Sequence, residues 1–294
     1  MQDIPRHLYP FDSHYLDLDG LRLHYLDEGS GPTVVAVHGN PTWSFYYREL
    51  VKGLRNGHRV VVPDHMGCGY SDKPGVGAYD YTLERRIRDF STLMDRLELE
   101  DISLVVHDWG GMIGLGWAVR NPERIRRLVI LNTAAFHLPP GKALPWQLWM
   151  VRNTPLGSVL VRGFNAFSRG ATRVACTRKT MSKEVRDAYC APYDSWNDRV
   201  ATLRFVQDIP LRPGDPGYEL VSDTHARLGV FADRPVLVCW GEKDFVFDHH
   251  FLAEFERIFP EAEVHRFADC GHYILEDASE EIVPLVRRFI TDPA

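Results

Sequence analysis

The sequence has few cysteines, no long apolar run and no excess of positive charge, and each absence excludes a class of protein. The cysteines are five, at 68, 176, 190, 239 and 270, an odd number with no C-x-x-C pair. That pattern excludes a disulfide framework and a zinc knuckle of the usual spacing, and it reads as free thiols in a reducing cytosol. No apolar stretch approaches the roughly 20 residues of a spanning helix. The opening MQDIPRHLYPFDSH lacks a basic region followed by an apolar one, so no signal peptide is expected and the compartment expected is the cytoplasm. Lys and Arg number 34 against 40 Asp and Glu, a net charge of -6, which argues against nucleic acid as a partner. GCG at 67–69 and GGMIGLG at 110–116 lack the G-x-G-x-x-G spacing after a first strand, so turns and close helix packing explain them better than a dinucleotide does.

What is present is an alternation of strand and helix patterns across 294 residues, ample for a substantial core. HYLDLDGLRLHYLDEG predicts a hairpin turning at Asp19-Gly20. TVVAVHG, HRVVVPD, ISLVVHD, RIRRLVILNT, RPVLVCWGEKD and AEVHRFADCGH read as strands, the buried ones as continuous apolar runs. SFYYRELVKGLR, TLERRIRDFSTLMDRLEL, GGMIGLGWAVRNP, DHHFLAEFERIF and EEIVPLVRRFI read as helices between and after them. This order implies a mostly parallel α/β sheet with helices on both faces. The rhythm breaks at Ala134 and resumes after Val230. We therefore expect one α/β core in two parts, 1–133 and 231–294, with a helical cap at 134–230; two domains in series would leave the last strands without a sheet.

In such a sheet the ligand site lies beyond the carboxyl ends of the strands. Four ends carry polar residues: His38-Gly39-Asn40-Pro41, His107-Asp108-Trp109-Gly110-Gly111, Asp244, and His272. Asp108 alone suits a helix N-cap. The small Gly110 and Gly111, however, let the chain turn sharply with the side chain at the apex, as in a nucleophile elbow with Asp in place of Ser. A carboxylate is already ionised at neutral pH and can attack carbon directly, leaving an ester on the enzyme. His272 is the candidate base for that ester, and Asp244 the acid that orients it, in the order nucleophile, acid, histidine.

HGNPTW at 38–43, DHMGCGYSD at 64–72, HDWGG at 107–111, GEKD at 241–244 and GH at 271–272 together resemble the haloalkane dehalogenase family of α/β-hydrolases, over the whole chain with the insertion as cap. The resemblance implies an α/β-hydrolase fold and hydrolytic cleavage of carbon–halogen bonds through an aspartyl ester, with neither metal nor organic cofactor. It also implies that the Trp109 indole and the Asn40 amide hold the halide, while the backbone N–H groups of the same two residues form an oxyanion hole. Because Asn132 leaves no acid after the sixth strand, the pattern looks like the third subfamily. That group's neighbours include β-lactone decarboxylases of bacterial olefin biosynthesis, which NTAAFHLPP, FNAFSRG and APYDSWNDR resemble closely. The partners implied are a small apolar haloalkane or β-lactone, water and halide, with self-association or assembly with other olefin-forming enzymes. The dehalogenase reaction is the first expectation and the lactone decarboxylation its alternative.

Two further readings stand beside these. Tyr189 and Tyr193 could protonate an epoxide oxygen, as in epoxide hydrolases, although Asn40 stands where those enzymes resemble one another in carrying an aromatic. A non-catalytic receptor on the same fold would need neither His272 nor Asp244, and both are present. Of the cap aromatics Trp146, Trp149, Phe164, Phe167, Tyr193 and Trp196, most are expected in the core of the cap and a minority on the pocket. His249 and His250, being adjacent, are expected to diverge and to share no metal. RNPERIRR is expected to be a solvated face.

Overall fold

The computed structural model describes residues 4–292; the first three residues of the opening from which no signal peptide was expected, and the last two of the expected C-terminal core range, lie outside them. β1 (His14–Leu18) and β2 (Leu21–Glu28) form the hairpin expected, and its turn residues Asp19 and Gly20 both have positive φ, the turn that Asp-Gly favours. The apolar runs become β3 (Thr33–Val37), β4 (Arg59–Pro63), β5 (Ile102–Asp108), β6 (Ile125–Thr133), β7 (Val236–Gly241) and β8 (Glu263–Phe267). The sheet runs β1-β2-β4-β3-β5-β6-β7-β8, parallel from β4 to β8, with β2 antiparallel to β4. The chain goes from β3 outward to β4 and then returns past β3 to β5. The ends of β3 and β5 therefore flank the point where strand order reverses, which is where such sheets bind ligands.

Alternate side chains of the buried strands feed two cores. Leu104 and Val106 join one with α2 (Leu83–Arg96), α3 (Trp109–Ala118) and α10 (His249–Ile258). Val105 joins the other with α1 (Arg48–Leu54) and α11 (Ile274–Thr291). Between β6 and β7 the described residues form helices only: α4 (Trp146–Asn153), α5 (Pro155–Ser158), a π turn (Val159–Gly163), α6 (Ala166–Val174), α7 (Lys183–Cys190), α8 (Val200–Gln207) and α9 (Tyr218–Arg227). α9 lies against α3, where Arg120 donates to Asp223 at 2.6 Å.

Two local expectations need correction. α11 begins at Ile274, ahead of EEIVPLVRRFI, and kinks at Ala278. Its extra first turn is held because Asp277 accepts the backbone N–H groups of Thr177, Arg178 and Gly271. His249 and His250 do not diverge: their ring centroids lie 4.0 Å apart, because both sit in the first turn after the Asp248 N-cap, whose carboxylate holds His250 Nδ1 at 3.0 Å. Asp248, His249 and His250 thus bring a ligand atom each within 4.8 Å of one another, against the expectation that the two imidazoles could share no metal, but Asp248 also binds Lys142 at 2.8 Å, so its carboxylate is already matched with a cation.

A buried ion pair couples α1 to α11 and α7. Arg48 Nη2 donates to Glu276 Oε2 at 2.8 Å, and the Tyr189 hydroxyl donates to Glu276 Oε1 at 2.5 Å. Removing one partner of a buried pair strands the other charge. Arg48→Met should lower unfolding free energy by about 3–5 kcal/mol, read as a lower urea midpoint at unchanged slope. A loss below about 1 kcal/mol would put this pair in the class of surface ion pairs.

Candidate active site

β5 runs into α3 without a loop, so the whole turn is made within Asp108, at φ 51° and ψ -127°. A residue with a Cβ rarely holds this conformation, and the surroundings must enforce it. Neighbouring glycines make room. A Cβ on Gly110 would lie 1.9 Å from the Val37 carbonyl oxygen, and one on Gly39 would lie 1.9 Å from Asp108 Oδ1. The Thr133 hydroxyl donates to the Asp108 carbonyl and ties the turn to β6.

Asp108 stands at the N-cap position of α3, yet its side chain makes no capping bond there. Its Oδ1 instead accepts the Asn40 backbone N–H at 2.6 Å, and the Trp109 backbone N–H donates to the same carboxylate. Burial would raise its pKa, but His272, His107 and these amides outweigh burial and hold it below the ordinary carboxylate range. Asp108 is thus kept ionised inside the protein.

His272 closes the triad. Its Nε2 lies 3.5 Å from Asp108 Oδ2 and its Nδ1 lies 2.8 Å from Asp244 Oδ2. Asp244 is fixed in turn: Oδ1 accepts the backbone N–H groups of Val246 and Phe247 at 2.7 and 3.1 Å, and Oδ2 accepts Asn132 Nδ2 at 3.0 Å. Burial disfavours a charged imidazole, but the two flanking carboxylates outweigh it and push the His272 pKa up to about 10. His107 behaves oppositely. Burial and the neighbouring His272 charge push it down to about 3, so the neutral ring donates from Nε2 to the His272 carbonyl at 2.8 Å.

Beside the triad lies a cavity of about 390 Å³, walled mainly by aliphatic and aromatic side chains, with Asn40, Asp108, Trp109, His137, Gln147, His272 and Tyr273 as the lining residues that carry polar side-chain atoms. That is the size and character of a small-ligand site. All five residues expected at the site meet there except Asp244, which stands behind His272. The Trp109 indole packs on Phe205 and its N–H meets no acceptor among the described residues. The Asn40 amide is differently placed: Nδ2 donates to the Thr202 carbonyl at 3.1 Å, while Oδ1 is buried without a partner. One of its two N–H bonds is therefore spent on α8.

Other expectations fail at this point. The Tyr189 hydroxyl is committed to Glu276 and that of Tyr193 faces the Thr42 carbonyl; neither lines the cavity, which removes the observation that favoured epoxide chemistry. Of the six cap aromatics named from the sequence, only Phe167 lines the cavity and only Tyr193 is fully buried; Trp146, Trp149, Phe164 and Trp196 are exposed, and smaller aliphatic residues of α4 and the π turn face the cavity instead. Asn132, Thr202 and His107 were not read as site residues. Asn132 was legible in principle, since it ends β6 at the same level as Asp108 and Asp244, but its lack of charge argued against it.

The α/β hydrolase fold family matches residues 32–279. A cis-3-alkyl-4-alkyloxetan-2-one decarboxylase of Shewanella oneidensis is 60% identical over 286 residues, covering 97% of this chain and 90% of that protein. A decarboxylase of the same name from Xanthomonas campestris pv. campestris is 48% identical, covering 96% and 97%. A haloalkane dehalogenase of Mycolicibacterium paratuberculosis is 33% identical, covering 93% and 91%. Among solved structures, a haloalkane dehalogenase of Bradyrhizobium elkani superposes with a TM-score of 0.87 at 25% identity, covering 95% of this chain and 97% of that one. The nearer of these relatives thus carry the chemistry that the sequence offered second.

The geometry makes Asp244 the first source of charge that keeps His272 protonated. Asp244→Asn preserves shape and removes that charge, so the His272 titration followed by NMR should move to lower pH. An unmoved titration would mean that Asp244 does not set the imidazole's charge.

Proposed function

The chain belongs to the α/β-hydrolase family, and we propose that within it this protein is a β-lactone decarboxylase, converting a 3,4-dialkyl oxetan-2-one into an olefin and carbon dioxide. The observation that carries the reading is 60% identity across 97% of the chain to a protein of that activity, against 33% to a dehalogenase. The site can perform the chemistry. Asp108 Oδ1 is held by the Asn40 amide, which leaves Oδ2 to attack ring carbon 4. As the new C–O bond forms, the ring C–O bond breaks and the ring oxygen becomes part of a free carboxylate. That carboxylate then leaves as carbon dioxide. The electrons of its C–C bond form the C3=C4 double bond and expel Asp108 as a carboxylate. No water is consumed and the enzyme is regenerated.

Two features support the second step. The ring-opened carboxylate stands among apolar walls, and desolvation disfavours that localised charge relative to neutral carbon dioxide. The Trp109 N–H, and the remaining Asn40 N–H, are neutral donors that can orient the carboxylate without trapping it. His272 then has a different task from the one expected. Forming the ester consumes the charge of Asp108, but lactone opening supplies a new carboxylate in the same cavity. The imidazole keeps an anionic neighbour and its proton, cannot act as a base on water, and steadies Asp108 as it departs.

A second reading keeps one observation in its favour: the unpartnered Trp109 N–H in the cavity suits a departing halide. In that reaction the halide leaves, His272 loses its anionic neighbour and its proton, and water hydrolyses the ester. The two reactions depend on pH with opposite sign. Fragmentation needs protonated His272, so its kcat should be level through neutral pH and fall as pH passes the raised pKa near 10. Hydrolysis needs the neutral ring and should rise with pH.

Side-by-side kinetics test the assignment. A cis-3,4-dialkyl β-lactone should be turned over with a kcat/KM well above that of a bromoalkane, and Asp108→Ala should lose about 10⁴-fold or more. A higher kcat/KM for the bromoalkane would return dehalogenation to first place, and lactone turnover undiminished in Asp108→Ala would remove the nucleophile.

A further inference from the structure

Three short pieces roof the cavity, α4, the π turn and α6, with α5 joining the first two. Their inward residues, among them Leu148, Val151, Val161 and Phe167, line it. Their outward faces would be polar on a protein whose roof met only water. Instead they present Trp146 at 71% exposure and Phe164 at 65%, with Trp149, Leu156 and Val159 also exposed. Exposed Trp196 joins them, its ring 3.7 Å from the position a Cβ on Gly163 would take. An apolar surface of this extent marks an interaction site.

Along the sequence the charge of the same region is one-sided, although five of its cations pair with carboxylates from other segments: Lys142 with Asp248, Arg152 with Asp215, Arg178 with Asp269 and Glu281, Lys179 with Glu280, and Lys183 with Asp187. Residues 124–183 contain no Asp or Glu, although the chain as a whole carries -6; from Lys142 to Lys183 there are eight Lys and Arg. Arg162 donates to the Trp196 carbonyl and Asn197 rather than to a carboxylate, and Arg169 and Arg173, in no ion pair among the described residues, line a polar cleft with Asp187 and Asp194. Arg162 stacks over Trp196 at 4.5 Å, and Arg169 and Arg173 stand one turn apart on the exposed side of α6. A second copy of this chain docking face to face would set these arginines against one another. Gln147, Val174 and Phe245, which line the cavity and are also exposed, mark its mouth on this face.

We propose that the roof docks peripherally on an anionic lipid surface. The indole and phenyl rings sink to head-group depth, the arginines meet the phosphates, and the cavity mouth opens toward the lipid. Aromatic residues at the interface with basic residues beside them are the physical signature of surface attachment. Among the described residues no helix is long and apolar enough to cross a membrane, so the attachment is to one leaflet. The proposal stands on exposure and charge and does not draw on the reaction proposed above.

The test is co-flotation of the full chain with phosphatidylcholine vesicles made with or without phosphatidylglycerol. The protein should float with the anionic vesicles, less so at high salt, and its tryptophan emission should shift to the blue. Trp146→Ser with Trp149→Ser should remove flotation, and Arg169→Glu with Arg173→Glu should weaken it at least about tenfold, since each basic residue contributes about 1 kcal/mol at such a surface. None of these four lines the cavity, so an unchanged melting temperature and unchanged turnover of a dispersed short-chain substrate show that the variants are folded. Failure of the parent chain to float, or flotation that neither variant weakens, overturns the proposal. So does a concentration-dependent dimer lost in the tryptophan variant without vesicle binding, which would assign this face to a second copy.

Discussion

The carboxylate of Asp108 is ionised while buried, and this constraint reaches through the rest of the molecule. Taking such a charge out of water costs several kcal/mol unless hydrogen bonds and opposite charge replace the water. The Asn40 and Trp109 amides supply the hydrogen bonds and His272 the opposite charge. A buried imidazolium needs a further carboxylate, Asp244, and that carboxylate needs the amides of Val246 and Phe247 and the side chain of Asn132. Each partner comes from the end of a different strand, so the chain of requirements is met only where β3, β5, β6, β7 and the loop after β8 converge. Glycines at 39 and 110 follow from the same demand, because a side chain at either would collide with the carboxylate or with β3.

Much of this was legible in the sequence because it rests on local rules. Continuous apolar runs marked the strands, Asp-Gly the first turn, and the small residues after Asp108 its elbow. The triad followed from polar residues at strand ends. What could not be read were contacts made by residues without a distinguishing local pattern. Thr202 takes one N–H of Asn40 with a backbone carbonyl, which no side-chain identity announces. Asn132 serves Asp244 with a neutral amide, where a search for charge passes it over. The aromatics of α4, and Phe164 just after the π turn, carry the composition of a core, and only the assembled roof shows that aliphatic residues face inward and these larger rings outward. Adjacent His249 and His250 were judged by mid-helix geometry, whereas they occupy a first turn.

On the function proposed, the same three residues could serve either of two reactions, and the charge left in the cavity after the first bond is made would decide between them. A departing halide removes an anion and lets His272 act as a base. An opened lactone keeps its anion beside His272 and leaves the ester to fragment. The identity of the three residues is silent on this choice, which explains why the sequence motifs point to the nucleophile more clearly than to the substrate. The apolar walls favour the neutral product once a carboxylate has formed among them.

The most direct test is a single turnover of a cis-3,4-dialkyl β-lactone in ¹⁸O-labelled water, followed by mass spectrometry of the products and of the peptide containing Asp108. Fragmentation without water predicts olefin as the product and an unlabelled Asp108. A β-hydroxy acid together with ¹⁸O in the Asp108 carboxylate would mean that water attacks the ester, and would contradict the account.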